Sequence, residues 1–462
     1  MLSDKQIEEI QKITGVKNAF LNDESLEECS TDETPDLSCR PDIVVKVENI
    51  KQIKELLKYS NSEKIPIVPR GAGTGTTGGC LAVCGGIILL LEGLNKIVDI
   101  DEKNLMAVVQ PGVITGNLQS EVEAKGLFYP VDPASLDSCS IGGNVAENSG
   151  GPRAVKYGVT KDYVCGLKAV LPDGSDFIYG GKIVKNVMGY DLPGIMIGSE
   201  GTLAVFTEIT LKLLPYPAAV TDLLIPFKTI KDAAHTVSSI LLNKIVPAAI
   251  EFMDKNCIKA VESLLERKLP YSDAEAHLLI QLDGMDQKET EKLYEKVGKI
   301  CLNNGAEDVF VADNRPMREK LWEARRKIRE AIKPLSPVKR SSDVVVPRFK
   351  IPELLDGIYA LQEKHEVRIF NFGHAGDGNV HVNILKENMD DSVWQNKLPA
   401  ILDDLYKLVI DMGGAISGEH GIGIIQKKYL KRAVGKKELE VMRAIKKLFD
   451  PSNILNPGKI FE

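Results

Sequence analysis

Short apolar runs and amphipathic stretches alternate along the first part of the chain. Ile43 to Val47 is an apolar run, and a helical periodicity from Asn49 to Ser62 and a second apolar run from Ile65 to Pro69 follow it. Ile87 to Leu91 is the densest apolar run and is typical of a buried strand. The strand–helix–strand order predicts an α/β unit, in a region that closes at the breaker Pro215-Tyr216-Pro217.

From about residue 219 the pattern changes to strand-like runs separated by longer helical runs. The strand-like runs are Thr221 to Phe227, His277 to Leu282 and Val367 to Phe372, and the helical runs are Ile230 to Leu242, Lys288 to Asn303 and Arg315 to Ile332. This alternation predicts an α+β domain with a largely antiparallel sheet. A last segment contains a helical pattern from Lys436 to Phe449. We therefore predict a first domain over 1–218, a second over 219–414 and a C-terminal segment over 415–462.

Composition excludes several classes of protein. A chain of 462 residues is longer than a domain with one hydrophobic core usually is. The hydrophobic share of 44% with 27% charged residues is that of a globular protein. The net charge of -7 predicts no nucleic-acid partner. No apolar run approaches the roughly 18 residues of a membrane span, and Met1 to Lys5 opens no signal-peptide pattern, so a cytoplasmic location is expected. The eight cysteines include no Cys-x-x-Cys, which argues against an iron–sulfur cluster in this chain.

Two of the six histidines flank an Asp-Gly dipeptide in the stretch from Phe372 to His381. Asp-Gly between apolar runs predicts a two-residue hairpin turn at Asp377-Gly378. In that register His374 lies directly opposite His381, with Cβ atoms roughly 5 Å apart. Glu419 supplies a carboxylate later in the chain, and two histidines with a carboxylate suit a divalent cation such as Zn, Fe or Mn. The alternative is a pair of unrelated, partly buried histidines.

Glycine-rich loops form the second chemical feature. The stretch from Pro69 to Gly79 follows an apolar run, and its exposed N–H groups would form a nest for a diphosphate. It does not match the Rossmann or P-loop patterns, because no helix and no Gly-Lys-Ser/Thr follow. The stretches 140–151 and 198–203 are also rich in small residues, which fits a long cofactor lying along backbone. A flexible loop without a ligand is the alternative.

Taken in order, these motifs resemble the FAD-linked oxidase family of the vanillyl-alcohol oxidase fold, in its glycolate oxidase FAD-subunit and D-2-hydroxyacid dehydrogenase branch. The resemblance covers nearly the whole chain and also includes Lys185 to Leu192 and Asn456-Pro457-Gly458-Lys459. It implies an α+β fold with a PCMH-type FAD-binding domain of two subdomains, an α+β cap domain for the substrate, and a C-terminal segment returning to the flavin. Some relatives tether FAD through a histidine in or near these loops. No histidine precedes His235 here, so the resemblance implies noncovalent FAD. The resemblance implies these FAD-binding residues: Pro69, Arg70, Gly71, Ala72, Gly73, Thr74, Gly75, Thr76, Gly79, Pro133, Ser140, Gly142, Gly143, Asn144, Asn148, Gly150, Gly151, Glu200, Gly201 and Asn456.

In the metal-dependent branch of this family, the positions of His374, His381 and Glu419 hold a divalent cation. His420 matches the family's base for the substrate hydroxyl proton, although a purely structural histidine is the alternative. Arg325 matches the substrate arginine, and Arg329, four residues later on the helical pattern, shares its face and is expected to help bind the carboxylate.

The resemblance also implies a reaction and its partners. Some relatives that oxidise dicarboxylates have a lysine near the position of Ser341, so this serine favours a small monocarboxylate such as lactate or glycolate. The expected activity is therefore oxidation of a small D-2-hydroxy acid, lactate first, by hydride transfer to the flavin. Electron-transferring flavoprotein, in some complexes a bifurcating one, is the first expected acceptor, and an iron–sulfur subunit or quinone is the second. A glycolate oxidase FAD subunit, a D-2-hydroxyglutarate dehydrogenase, a non-catalytic electron-transfer subunit and a zinc hydrolase are the competing hypotheses.

Overall fold

The computed structural model describes residues 1–312 and 314–461 and divides into two compact units. Unit 1 comprises Met1–Ser149, Val159–Tyr216 and Glu419–Glu462, and unit 2 comprises Gly150–Gly158 and Pro217–Gly418. In the part of the chain that is described, no helix combines the length and the apolar character needed to cross a bilayer.

The secondary structure consists of short strands and mostly short helices. The strands are β1 Ala19–Phe20, β2 Ile43–Lys46, β3 Ile67–Arg70, β4 Ile87–Leu90, β5 Ile97–Asp101, β6 Met106–Val109, β7 Leu127–Phe128, β8 Val164–Val170, β9 Asp176–Gly180, β10 Val205–Lys212, β11 Leu214–Pro215, β12 Ala219–Phe227, β13 Ala249–Asp254, β14 Ala276–Gly284, β15 Phe310–Ala312, β16 Lys339–Val345, β17 Ile369–His374 and β18 Asn379–Leu385. The α-helices are α1 Asp4–Thr14, α2 Asp23–Glu28, α3 Ile50–Glu63, α4 Thr115–Glu123, α5 Ile141–Glu147, α6 Ala154–Tyr157, α7 Leu192–Met196, α8 Ile230–Leu242, α9 Lys255–Leu264, α10 Gln287–Asn303, α11 Arg315–Arg326, α12 Ile328–Ile332, α13 Ile351–His365, α14 Asp391–Asp411, α15 Lys427–Ala433 and α16 Lys436–Phe449.

Unit 1 contains two main sheets, as expected for an FAD-binding domain of two subdomains. The first has the order β1-β2-β4-β3, in which β2, β4 and β3 run parallel, and the second has the antiparallel order β5-β6-β10-β8-β9. The predicted strand–helix–strand unit is β2-α3-β3. Asn49 caps α3 by accepting the N–H of Gln52, and Ile53, Leu56 and Leu57 of that helix are fully buried in the core of the first sheet.

Unit 2 is built around one seven-stranded antiparallel sheet of order β15-β12-β14-β13-β17-β18-β16. The α+β class and the largely antiparallel sheet are therefore confirmed. One face of this sheet packs against α9, α11 and α12 through a core that includes Leu279, Phe370, Phe372 and Ile328. This face also carries the polar residues of the candidate site.

The helix predicted from Arg315 to Ile332 is wrong as a single element. It is divided at Lys327 into α11 and α12. The apolar spacing continues across the break, because Leu321, Ile328 and Ile332 all enter the same core. The hydrophobic pattern therefore could not reveal the interruption.

The short segment Gly150–Gly158 belongs to unit 2 although it lies within the N-terminal half of the sequence. Its helix α6 places the amino group of Lys156 and the hydroxyl of Tyr157 on the carboxylate of Asp283, and the Tyr157 oxygen lies 2.5 Å from Asp283 Oδ2. The Asp283 side chain is buried on β14. This segment thus supplies both a cation and a hydroxyl donor to a buried acid.

Candidate functional site

In unit 2, β17 and β18 form the hairpin that carries the two candidate histidines, but its register differs from the predicted one. Phe372 pairs with His381, and His374 pairs with Asn379. The connection is a four-residue turn, 375–378. The prediction that the two histidines lie directly opposite each other is therefore wrong.

The Asp-Gly dipeptide occupies the second half of that turn. Gly378 has a φ of +94°, and a Cβ at this position would collide with the carbonyl oxygen of Val346. Asp377 accepts the backbone N–H of Asn379 at 3.2 Å. The Asp-Gly signal marked a real turn, and the close approach to Val346 explains the glycine, but the signal did not fix the loop length.

His374 and His381 nevertheless meet, because residues on neighbouring strands that are offset by two positions share one face of a sheet. Their Nε2 atoms are 3.4 Å apart, and the rings stand edge to face with centroids 5.1 Å apart. Both side chains are buried. Two buried imidazole nitrogens directed toward one point fit the requirement of a shared cation.

A carboxylate lies behind each imidazole. Glu251 Oε1 is 2.8 Å from Nδ1 of His374, and Asp343 Oδ1 is 3.6 Å from Nδ1 of His381. The hydrogen bond to Glu251 fixes the tautomer of His374 and leaves its Nε2 to act as the metal-binding atom, whereas Asp343 lies near His381 Nδ1 beyond hydrogen-bond distance. The sequence assigned no role to either acid. A lone glutamate within the apolar strand β13 is a signal of a paired buried charge, and it could have identified Glu251.

Asp343 is itself held by two donors. The side-chain amide of Asn379 lies 2.6 Å from Asp343 Oδ1, and the backbone N–H of Gly418 lies 2.8 Å from Oδ2. These two bonds fix the orientation of the carboxylate.

Arg325, at the end of α11, is the buried cation of this site. Its Nη2 atom is 2.6 Å from Glu251 Oε2, and its guanidinium stacks over Phe372 at 4.8 Å. Burial raises the pKa of Glu251, but the charges of Arg325 and His374 outweigh burial and hold that pKa below its ordinary value. The Nε atom of Arg325 has no hydrogen-bond acceptor within residues 1–312 and 314–461. A buried guanidinium with an unused donor suits an anionic ligand.

The other expected residues of this site are placed as follows. Arg329 lies in α12 and is half-buried. Glu419 and His420, the predicted third ligand and the predicted base, belong to unit 1. Unit 2 therefore brings His374 and Arg325 together through the shared carboxylate of Glu251, with His381 beside His374. The roles of Glu419 and His420 stay predictions.

In unit 1, the loop that follows β3 has the properties expected of a phosphate-binding loop. Gly73 and Gly78 have φ values of +71° and +76°, a backbone conformation that glycine adopts without strain. In the described part of the chain, the backbone N–H groups of residues 71–76 find no backbone acceptor. This row of unused donors, outside any helix or strand, fits the oxygens of an anionic diphosphate.

The second glycine-rich stretch forms the helix α5. Ser140 caps it by accepting the N–H of Gly143, and Asn148 ends it in the left-handed conformation. A Cβ at Gly71 would meet the Ser140 hydroxyl, and a Cβ at Gly142 would meet Pro111. The absence of a side chain at Gly71 therefore permits close packing between the loop after β3 and the start of α5, and its absence at Gly142 permits close packing of α5 on Pro111.

Asn456 connects two of the predicted cofactor loops. Its side-chain amide donates to the carbonyl of Gly79 at 2.8 Å and to the carbonyl of Glu200 at 2.7 Å. Lys459 donates to the Asn456 side-chain oxygen at 3.0 Å. Asn456 is 1% exposed, so these bonds hold the loops in a fixed arrangement.

The segment that follows Glu419 is tied to the same loops. The Glu200 carboxylate accepts the N–H groups of Ile422 and Gly423 at 2.8 and 2.7 Å, and the Thr77 hydroxyl donates to the carbonyl of His420 at 3.2 Å. Burial, together with the neighbouring Glu200, raises the pKa of Glu147 well above its ordinary value.

Of the remaining predicted cofactor positions, Pro133 lies in the turn before α5, and Gly201 adopts a positive φ of +65°. Gly150 and Gly151 fall in unit 2. These positions carry no further contact that bears on a ligand, and their role in cofactor binding stays a prediction.

Comparisons with known families and proteins agree with this arrangement. Residues 216–460 match the family model described as FAD linked oxidases, C-terminal domain, and residues 41–176 match the model described as FAD binding domain. The chain is 40% identical to the glycolate oxidase subunit GlcD of Bacillus subtilis, with 100% of this chain and 97% of the relative covered. It is 36% identical to a D-lactate dehydrogenase of Anaerostipes hadrus, with 99% and 98% covered. It is 32% identical to a D-2-hydroxyglutarate dehydrogenase of Stutzerimonas stutzeri, with 98% of each covered.

Solved structures support the fold at lower identity. The chain is similar to p-cresol methylhydroxylase, with a TM-score of 0.83, 18% identity, and 99% of this chain and 96% of that one covered. An alkyldihydroxyacetonephosphate synthase matches with a TM-score of 0.78 at 18% identity, covering 99% of this chain and 86% of that one. These likenesses identify the fold as that of the PCMH-type FAD-binding proteins.

Proposed function

The chain belongs to the FAD-linked oxidases and is an FAD-dependent oxidoreductase of the 2-hydroxyacid dehydrogenase kind, and from this we propose that it oxidises a small D-2-hydroxy acid, D-lactate first, to the 2-oxo acid. The observation that carries the proposal is the buried guanidinium of Arg325 beside the His374–His381 pair, linked by Glu251. A 2-hydroxy acid presents a carboxylate and an adjacent hydroxyl, and this arrangement offers a partner for each.

A flavin and a divalent cation would supply the rest of the chemistry. When bound, FAD accepts the hydride from the α-carbon, and a divalent cation would act as a Lewis acid toward the substrate hydroxyl. We propose that FAD is held by the loop after β3, by α5 and by the loop around Glu200. We propose that the cation is held by His374 and His381, with Glu419 as a third ligand.

We assign a separate role to each of the protein's own residues at this site. Arg325 binds and orients the carboxylate through its Nε and Nη2 donors. Glu251 keeps the Nδ1 atom of His374 fixed, and Asp343 places a negative charge near Nδ1 of His381. His420 accepts the hydroxyl proton, a role that suits an imidazole at neutral pH.

The choice of D-lactate as first substrate rests on Ser341, which provides no charge for a second carboxylate at its own position. Glycolate and D-2-hydroxyglutarate are the alternatives, and they correspond to the names of two relatives. We further propose that a separate protein reoxidises the flavin, electron-transferring flavoprotein first and an iron–sulfur subunit second. Purification of the native complex, followed by identification of its subunits, tests this point.

The function is tested by mixing the FAD-loaded enzyme anaerobically with D-lactate, L-lactate or glycolate in a stopped-flow instrument. Rapid loss of the oxidised-flavin absorbance with D-lactate, and none with L-lactate, is expected. An oxidised flavin that no 2-hydroxy acid bleaches would overturn the proposal.

A further inference from the structure

The helices α15 and α16 of unit 1 concentrate positive charge that the rest of the chain does not share. From residue 427 to residue 447 the sequence contains nine lysines and arginines and only two glutamates, a net charge of +7 in a chain whose net charge is -7. The remainder of the chain is therefore strongly acidic. A local excess of one sign attracts a partner surface of the opposite sign and orients it on approach.

The exposed face of α16 presents a basic row. Lys436, Arg443 and Lys447 are separated by seven and four residues, so they lie on one side of the helix, and all three are exposed. None of the three forms an ion pair with another residue of 1–312 or 314–461. Their charges are therefore available to a partner.

An apolar row runs beside the basic one. Val441, Ala444 and Leu448 are separated by three and four residues, and all three are exposed. The Leu448 side chain is the most open of them, since this residue is 76% exposed. An exposed leucine beside unpaired cations has the composition of an apolar anchor with a charged rim, as found in protein–protein interfaces.

The opposite face of α16 is bonded to the loops that we propose for FAD. The amino group of Lys446 donates to the carbonyls of Thr202 and Leu455, both at 2.8 Å. These two residues adjoin Gly201 and Asn456, which are among the predicted FAD-binding residues. An α-helix with its side chains is about 10–12 Å across, so a partner on the exposed face lies within roughly that distance of the loops. Because electron transfer slows steeply with distance, this face is a favourable position for an electron acceptor.

An anionic bilayer and a basic face that only water solvates are the alternatives. A helix that lies in a membrane interface buries a broad apolar face with several large side chains. The exposed apolar row of α16 contains one valine, one alanine and one leucine. In addition, the acidic remainder of the chain is repelled by anionic lipid. These two observations favour a protein partner over a bilayer.

Resting on the proposed function, we propose that the exposed face of α16 is the docking surface for the redox protein that reoxidises the flavin, and that this acceptor presents an acidic surface around an apolar recess. Lys436, Arg443 and Lys447 orient the acceptor, and Leu448 anchors it. The acceptor takes two electrons from the reduced flavin, which releases one proton to water.

Small charged oxidants test whether electrons leave beside this surface. The holoenzyme, reduced with a stoichiometric amount of dithionite, is mixed in a stopped-flow instrument with ferricyanide, a trianion, or with tris(phenanthroline)cobalt(III), a trication. Two ions of either oxidant accept the two electrons of one reduced flavin. The test variant combines Lys436→Glu, Arg443→Glu and Lys447→Glu. The control variant, which makes the same change of charge at exposed positions elsewhere in unit 1, combines Lys5→Glu, Lys58→Glu and Lys103→Glu.

The test variant should react with ferricyanide about fivefold or more slowly than the wild type and with the cobalt complex faster, and both effects should shrink at high salt. The control variant should change either rate constant less than about twofold, because its charges lie elsewhere. Equal effects in the two variants overturn the inference and leave α16 with a solvated basic face. Since dithionite reduces the flavin, this result is independent of the substrate, and a failure of every 2-hydroxy acid to reduce the flavin overturns the proposed function alone.

Binding of the acceptor is measured without turnover. The flavoprotein or iron–sulfur protein that copurifies with the full chain from its own organism is titrated calorimetrically into the holoenzyme. The test variant and Leu448→Ser should each bind it about tenfold or more weakly than the wild type, and the control variant should bind it as the wild type does. If no acceptor copurifies, the oxidant experiment decides alone.

Two results of these binding measurements would overturn the inference. The first is an acceptor that binds the test variant as tightly as the wild type. The second is sedimentation of the wild type, but not of the test variant, with vesicles of phosphatidylglycerol and phosphatidylcholine, because the surface would then serve a membrane.

Discussion

Arg325 and Glu251 form an ion pair in which both side chains are buried, with Nη2 and Oε2 2.6 Å apart. The same glutamate also holds Nδ1 of His374. One carboxylate therefore positions both the cation that would bind the substrate carboxylate and a ligand of the proposed metal. A change at any of these three residues should affect the other two.

Replacement of Arg325 by Met should raise KM strongly and lower kcat, because the substrate carboxylate loses its anchor and the α-carbon its orientation. The same change leaves Glu251 buried without its counter-charge, which costs about 3–5 kcal/mol. Arg325→Lys keeps the positive charge beside Glu251, so its effect on substrate binding can be measured without the loss of stability expected for Arg325→Met. It should also raise KM, because an ammonium cannot form the two parallel bonds of a guanidinium. Wild-type KM values in Arg325→Lys would contradict the assignment.

His374→Ala and His381→Ala should each lose the bound divalent cation and most turnover while FAD stays bound, because the predicted FAD loops lie elsewhere, mostly in unit 1. Metal content by elemental analysis and flavin content by absorbance provide the two measurements. His235→Ala, which replaces an exposed histidine of the same unit, is the matched control and should keep the metal. Full activity of the wild type after chelation would show that the metal has no role.

His420→Asn should lower kcat by about 10²–10⁴-fold with a smaller change in KM, because a general base acts mainly in the transition state. The acidic limb of the kcat/KM profile should disappear as well. Anaerobic flavin reduction by D-lactate is the direct measurement. If the variant reduces its flavin at the wild-type rate, another group takes the proton.

FAD should be bound tightly but without a covalent link, because no histidine precedes His235 in the sequence. Acid precipitation of the purified protein should release all the yellow colour into the supernatant. Flavin that remains in the protein pellet after washing would refute the noncovalent assignment.

Asp254 should make the stability of unit 2 depend on pH. It caps α9 by accepting the N–H of Cys257 and also accepts the N–H of Asn371, yet burial raises its pKa to about 6. Between the unfolded value near 4 and about 6, the folded state holds the proton more tightly. The free energy of unfolding should therefore fall by roughly 3 kcal/mol as pH rises from about 4 to about 6, and stay level above that range.

Urea unfolding followed by tryptophan fluorescence measures this effect, since both tryptophans, Trp322 and Trp394, belong to unit 2. Asp254→Asn is the comparison, because an amide does not titrate in this range. The difference between wild type and variant should depend on pH only between about 4 and 6. A difference that is constant from acid to neutral pH would contradict the raised pKa.

Local patterns predicted much of the fold. The helices α8 and α16 have the predicted bounds, and β12, β14 and β17 lie within two residues of the predicted runs, because apolar spacing and capping act within one element. The hairpin register was wrong because it depends on Gly378 packing against Val346, which belongs to a distant part of the sequence. The division at Lys327 was missed because it leaves the apolar spacing unchanged.

The candidate site, too, could be predicted from local sequence patterns only in part. The contact between His374 and His381 was anticipated because both lie on one hairpin, although the predicted register was wrong. Glu251 and Asp343 were not assigned, because only the order of strands in the sheet brings them behind those histidines.

The insertion of Gly150–Gly158 into unit 2 affects how this protein can be divided into fragments. No single cut separates the two units, because the chain passes between them at residues 149–150, 158–159, 216–217 and 418–419. A fragment that begins at residue 217 loses Lys156 and Tyr157 and leaves the buried carboxylate of Asp283 without either donor. Loss of the partner of a buried ion costs on the order of 3–5 kcal/mol, a large share of the stability of an ordinary domain. Such a fragment is therefore a poor starting point for exchanging substrate domains between relatives, whereas an exchange that moves both segments together keeps the acid paired.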